Sequence, residues 1–264
     1  MRREVKLLIA ALIAFMLPFT GASAQRDAMI FNHLSAGVDI GTRGFGLEVS
    51  APLTPYLEVR TGFDIMPHFG YTYDVDLSDV KIGNSTPELL RMRDGTYKTG
   101  INGSLNMTDW KLMLDIFPFR KSSFHLTAGM FVGSSTFINV TNTNAFGPDL
   151  SGEWGMGITL KNGDRIKADE DGFIHASAKV NGFKPYVGIG FGRAISEDHH
   201  FSVACDIGAL FWGKPKLTIL NTHGEESVIT AAEFDSKDAE KAFDIVSKVI
   251  AYPLINIRLI YHIF

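Results

Sequence analysis

The chain has 264 residues, of which 20% are charged and 11% aromatic, with 26 glycines and a formal net charge of −4. That balance offers no basic surface for nucleic acid. The single cysteine, Cys205, excludes an internal disulfide and a cysteine-based metal site.

The N-terminus reads as an export signal. Arg2, Arg3 and Lys6 precede an apolar run, Leu7 to Leu17, that is too short to cross a bilayer, and Ala22-Ser23-Ala24 forms a small-residue cleavage site. Residues 1–24 are therefore expected to be removed, with the cut between Ala24 and Gln25, and 25–264 to form one domain. No cysteine follows the site, so a lipoprotein anchor is excluded. No later stretch holds the roughly 18 consecutive apolar residues that a membrane helix requires.

Eight segments alternate apolar and polar residues with the period of a β-strand. They span 33–41, 45–53, 56–65, 110–117, 124–133, 184–192, 201–212 and 254–264. The last is the clearest: Ile255, Ile257, Leu259, Tyr261 and Ile263 share one face, and Asn256, Arg258 and His262 the other. Strands of about ten residues in an exported chain, the last ending in aromatics, predict an all-β, antiparallel transmembrane barrel.

The connections support that reading. Those after the second, fourth and sixth segments are short, and those after the third, fifth and seventh (66–109, 134–182 and 213–251) are long. Short periplasmic turns and long extracellular loops are the rhythm of an outer-membrane barrel. Within 134–182, the stretches 157–161 and 173–180 flank an Asn162-Gly163 turn and predict a hairpin, which would raise the count to ten if it entered the membrane. Before the last strand, Ala239, Ala242, Phe243, Val246 and Val249 or Ile250 make a stripe at helical spacing, with Asp235 or Ser236 as cap and Pro253 as stop.

The polar face of the strands would line the lumen. Its candidate network comprises Asp39, Glu58, Arg60, Asp64, Lys111, Asp115, Asp206 and Arg258, with Glu48, His125 and several glycines on the same face. Eight strands leave only enough width for side chains to fill, so these charges must pair. The network reads as a plug, or as a narrow cation-leaning pore because acids outnumber bases. A soluble lipocalin-like barrel, with the faces inverted, is the rival architecture.

Catalysis finds little support. His125, Ser202 and Asp206 are the elements of a triad, but Ser202 and Asp206 stand about 13 Å apart along one strand. His199-His200 lacks the spacing of a zinc site. Gly188-Ile189-Gly190-Phe191-Gly192 opens no helix, so it is not a phosphate loop. The chain is expected to be neither an enzyme nor a holder of cofactor or metal.

Two segments carry a family resemblance. They are Lys184-Pro185-Tyr186-Val187-Gly188-Ile189-Gly190-Phe191-Gly192 and the run from Phe201 through Cys205-Asp206-Ile207-Gly208 to Trp212-Gly213-Lys214-Pro215-Lys216. With Tyr252-Pro253 opening the final strand and Tyr261-His262-Ile263 near its end, they resemble a family of Gram-negative outer-membrane β-barrel proteins, porin-like or surface-antigen-like. Ile263 stands where that family has its last Phe, and Phe264 lies one residue beyond. The resemblance implies an outer-membrane location, contact with outer-membrane lipid, and assembly through periplasmic chaperones and the barrel-assembly machinery. It implies no reaction. The function expected is structural or surface interaction through the extracellular loops, with a small porin as the alternative and a lipid-modifying enzyme behind it.

Overall fold

The computed structural model describes residues 33–78, 85–120, 122–151, 155–161, 163–193, 200–221, 226–230 and 248–263. The cleavage site at Ala24 and Gln25 and most of the expected helix lie outside these residues.

The described residues hold fourteen strands. Eight close into an antiparallel ring: β1 (Ser35–Gly41), β2 (Gly44–Thr54), β3 (Leu57–Asp76), β4 (Lys98–Ile116), β5 (Phe124–Gly133), β10 (Phe183–Phe191), β11 (Phe201–Phe211) and β14 (Ala251–His262). The closing seam pairs β1 with β14 from Ser35↔His262 to Gly41↔Asn256. One end of the ring, the terminus end, holds Ser35, His262 and the turns after β2, β4 and β10. The other, the loop end, holds the β1–β2 turn and the long connections.

Alternation sorts the two faces of the ring. Leu47 and Val203, each 65% exposed, point outward with Val38, Phe63, Val187 and Ile257. No outward position of the ring strands within the paired registers carries a charge. Aromatic side chains border this apolar band: Phe45, Phe183 and Phe211 toward the loop end, and Phe124, Phe191, Phe201 and Tyr261 toward the terminus end. There, Phe124 packs on Phe191 (centroids 5.4 Å apart) and Phe201 on Tyr261 (5.0 Å). The charged residues face inward and are buried, which rules out the inverted, lipocalin-like arrangement.

All three expected loops contain strand. β3 continues to Asp76 and β4 begins at Lys98, so these two, of 20 and 19 residues, rise well beyond the ring. A one-residue bulge between Met66 and Phe69 lets the pairing continue. On the far side of β4 the sheet extends through β6 (Thr136–Asn142), β9 (His175–Lys179), β12 (Lys216–Leu220) and β13 (Glu226–Ile229). Residues 173–180 therefore do not form the expected hairpin. Ile158–Thr159 (β7) pairs instead with Arg165–Ile166 (β8), whose connection includes Gly163 at φ 90°, and β9 lies between β6 and β12. Pro253, expected as the stop of the helix before the last strand, lies inside β14 opposite Ala209. A second apolar core, with Leu90, Phe146, Leu150, Ile158, Ile166 and Ile219, holds this outer sheet together.

Glycines make room for the charges inside the ring. Gly46 pairs with Asp39 on one side and Asp64 on the other. A Cβ at Gly46 would lie 2.4 Å from an Asp39 oxygen and 2.5 Å from an Asp64 oxygen. Gly62 stands in the same way against Glu48, and Gly190 against His125 and Asp206. Gly103, in the outer part of β4, has open space around it, its nearest atom being 4.0 Å away. Gly46→Val should therefore lower the unfolding free energy of the refolded protein by about 1–3 kcal/mol, read from urea titrations, while Gly103→Val leaves it within about 0.5 kcal/mol.

Candidate functional site

The lumen of the ring is filled by charge. Among the described residues, Asp39, Glu48, Glu58, Asp64, Asp109, Asp115 and Asp206 face Arg43, Arg60, Lys111, Lys184, Arg258 and His125, and none of these is more than 6% exposed. All eight lumen residues expected from the sequence lie on this inner face.

They are arranged in tiers. At the loop end the two-residue turn Thr42–Arg43, followed by Gly44 at φ 96°, brings Arg43 over the mouth. Its guanidinium pairs with Asp109 and packs over the Phe131 ring, 4.6 Å from the centroid. Lys184 Nζ donates to Asp109 Oδ1 at 2.9 Å and to the Ser134 carbonyl at 2.8 Å. One tier deeper, Lys111 Nζ lies 2.6 Å from Asp39, 2.9 Å from Asp64 and 3.2 Å from Glu48. Asn256 donates to the remaining Asp39 oxygen at 3.0 Å.

Glu48 joins this tier to the next. It accepts from Arg258 at 3.1 Å and from Arg60 at 3.4 Å. Arg60 grips Asp115 with Nε at 2.6 Å and Nη2 at 2.9 Å, a two-point contact that only a guanidinium offers. Thr127 donates to the same Asp115 at 2.7 Å. Asp206 is ion-paired with Arg258, 2.8 Å from its Nε, and lies 2.8 Å from His125 Nε2.

Toward the terminus end, His125 packs against Phe117, with centroids 5.1 Å apart. Arg193 lies over the Phe117 ring, 4.2 Å from its centroid. It donates to the carbonyls of Ser122 (3.0 Å), Phe119 (3.2 Å) and Pro55 (3.5 Å), so it ties three turns together across that end. Glu58 is buried on the same inner face.

The structure brings His125 and Asp206 together but not Ser202. The Ser202 hydroxyl donates to the Arg193 carbonyl at 3.0 Å and stands 3.5 Å from His262. No group of His, Cys, Asp and Glu among the described residues has the arrangement of a metal site.

Arg43, Asp109 and Lys184 belong to the site without having been expected there. Asp109 shares parity with Lys111 and Asp115, and Lys184 with Tyr186 and Gly188, so strict alternation carried one step further finds both. Arg43 sits in a turn, where alternation carries no signal. The lumen also has an apolar part, Met113, Phe131, Tyr186, Leu210 and Leu254. Tyr186 lies over the facing glycines Gly188 and Gly208, and its hydroxyl has no hydrogen-bond partner.

No family model matches the chain, and no curated protein matches it. In overall structure it is similar to CarO2 of Acinetobacter baumannii, at 17% identity and a TM-score of 0.46, covering 89% of this chain and 99% of that one. It is also similar to Acinetobacter baumannii CarO, at 15% identity and 0.46, covering 90% and 99%. A major outer membrane protein from Thermus thermophilus is similar at 12% identity and 0.39, covering 87% and 98%.

The tiers predict unequal costs for removing one partner. Arg258→Met leaves Glu48 and Asp206 short of a buried cation and should cost about 3–5 kcal/mol. Lys179→Met removes the more exposed Lys179–Glu226 pair of the outer sheet and should cost less than about 1 kcal/mol. Urea midpoints of the two variants measure the difference.

Proposed function

We propose that this chain is an integral outer-membrane β-barrel with a sealed lumen, acting through the sheet it raises beyond the membrane. The observation that carries the sealed lumen is the burial of every charged side chain inside the ring. A water-filled pore would wet these groups. Instead they are bonded to one another, and Phe117 beneath Arg193 closes the terminus end. The membrane reading rests on the uncharged outer band, its aromatic borders, and strands β2, β5, β10, β11 and β14 of 9 to 12 residues, about the length that spans a bilayer. With the short turns in the periplasm, the outer sheet is extracellular.

Function then belongs to the loop end. β3 and β4 are shared by ring and outer sheet, so the surface is built on a rigid scaffold, where binding residues commonly sit. Lipid, periplasmic chaperones and the barrel-assembly machinery are its partners in biogenesis. No reaction is assigned, because the His125–Asp206 pair has no nucleophile and no access to solvent. The porin reading keeps one supporting observation: among the described residues of the lumen, seven buried carboxylates stand against five buried Lys and Arg side chains, so an opened lumen would favour cations.

Ile207→Arg, in the middle of the outer band between Phe201 and Phe211, should cost about 2–4 kcal/mol in lipid, read from urea unfolding in liposomes. Refolded protein in a planar bilayer should be electrically silent. Reproducible cation-selective steps from protein with heat-modifiable gel mobility would replace the sealed barrel with a porin.

A further inference from the structure

A chamber of about 200 Å³ lies directly above the uppermost ion pairs, between the ring and the outer sheet. Its walls are Met66, Leu105, Met107, Phe137, Trp212 and Tyr252, and Arg43 reaches it from the ring. The three aromatic rings form a row, Phe137 to Trp212 at 5.2 Å and Trp212 to Tyr252 at 5.0 Å.

The polar ends of two wall residues are already used. Trp212 Nε1 donates to the Val249 carbonyl at 2.9 Å, and the Tyr252 hydroxyl donates to the Thr42 carbonyl at 2.7 Å. Both rings therefore offer the chamber only carbon surface. Arg43 is different. Its buried Nε has no hydrogen-bond partner among the described residues, and an Asp64 oxygen lies 3.8 Å from it.

The charge around it is also uneven. Arg43 and Lys184 both rest on the one carboxylate of Asp109. Asp64, the other acid paired with Arg43 among the described residues, is held more closely by Lys111 at 2.9 Å. The tier bordering the chamber thus carries more cation than anion.

We propose that this chamber binds a small organic carboxylate with an aromatic or otherwise apolar body, its carboxylate toward Arg43 and its body against Trp212 and the two methionines. A cationic ligand would meet the guanidinium's repulsion. A neutral apolar one would fill the volume but leave the guanidinium donor unanswered, and a charge-assisted hydrogen bond is about twice as strong as a neutral one. This deepens the surface-interaction reading by naming a ligand class for the loop end. It rests on that reading only in taking the floor beneath the chamber as closed; bilayer conductance tests the floor, and binding tests the chamber.

The experiment is calorimetric titration of the refolded full chain in detergent with benzoate, benzyl alcohol and benzylamine, which share a ring and differ in charge. Two variants accompany it: Leu105→Trp, which fills the chamber, and Arg43→Gln, which removes its charge. Heat-modifiable gel mobility establishes that each is folded. Benzoate should bind saturably, benzylamine should not, and benzyl alcohol should bind at least tenfold more weakly than benzoate. Leu105→Trp should abolish benzoate binding, and Arg43→Gln should weaken it at least tenfold. Benzyl alcohol binding as tightly as benzoate overturns the carboxylate assignment. Benzoate binding unchanged in Leu105→Trp, or no saturable binding to the wild type, overturns the chamber as its site. If Arg43→Gln does not fold, the Leu105→Trp variant and the comparison of the three ligands still decide.

Discussion

The width of an eight-strand ring governs the rest of this structure. Strand alternation sends one residue in two into a space that side chains nearly fill, and on the inward positions this sequence places charge. Each such group is costly to bury alone, so each must be matched within a few ångströms. Glu48 illustrates the solution: one carboxylate engages Lys111, Arg60 and Arg258, and so fastens β2 to β4, β3 and β14 at once. The space comes from glycine. Gly46, Gly62 and Gly190 stand beside buried charged groups, at positions where a methyl group would overlap a carboxylate, a backbone or an imidazole.

The same economy explains the two ends. At the terminus end, Arg193 gathers carbonyls from neighbouring turns and lies on Phe117, so closure there does not depend on the charge network. At the loop end, β3 and β4 simply continue, and the outer sheet grows from the edge of β4. Because the strands that carry Asp64 and Asp109 also carry Tyr71 and Ile101 further up, lumen and outer surface share one hydrogen-bonded framework. Tyr71, 75% exposed, belongs to the face of this framework that continues upward from the chamber wall at Leu105 and Met107.

Much of the ring could be read from the sequence because its outer face is apolar and its inner face polar, so neighbouring residues differ in kind. Val203-Ala204-Cys205-Asp206-Ile207 shows its faces without ambiguity. Beyond the ring both faces meet water or a small local core, and the contrast fades. The outer half of β3 still alternates, through Phe69, Tyr71, Tyr73 and Val75, but the bulge after Met66 shifts the phase and Pro67 suggests an ending. Gly100 and Gly103 disguised the outer half of β4 in the same way. Leu254 and Ile260 were hidden for a different reason: they share parity with Arg258, but their polar neighbours dominated that face. Which charges pair was not legible, since it depends on the stagger between strands such as β3 and β4, which alternation within one strand does not encode. The chamber was still less so, because its walls come from β3, β4, β6, β14 and the residue after β11.

The central claim is that ion pairs seal the lumen against water. Ser50 is buried on the inner face of β2, and cysteine is close to it in shape. With Cys205→Ala removing the native thiol from the outer wall, a Ser50→Cys protein refolded in lipid would be exposed to a small, charged, water-soluble thiol reagent. The account predicts no labelling of the folded barrel and full labelling after unfolding in urea. Rapid labelling of the folded barrel would mean that water and ions reach the lumen, and would contradict the seal.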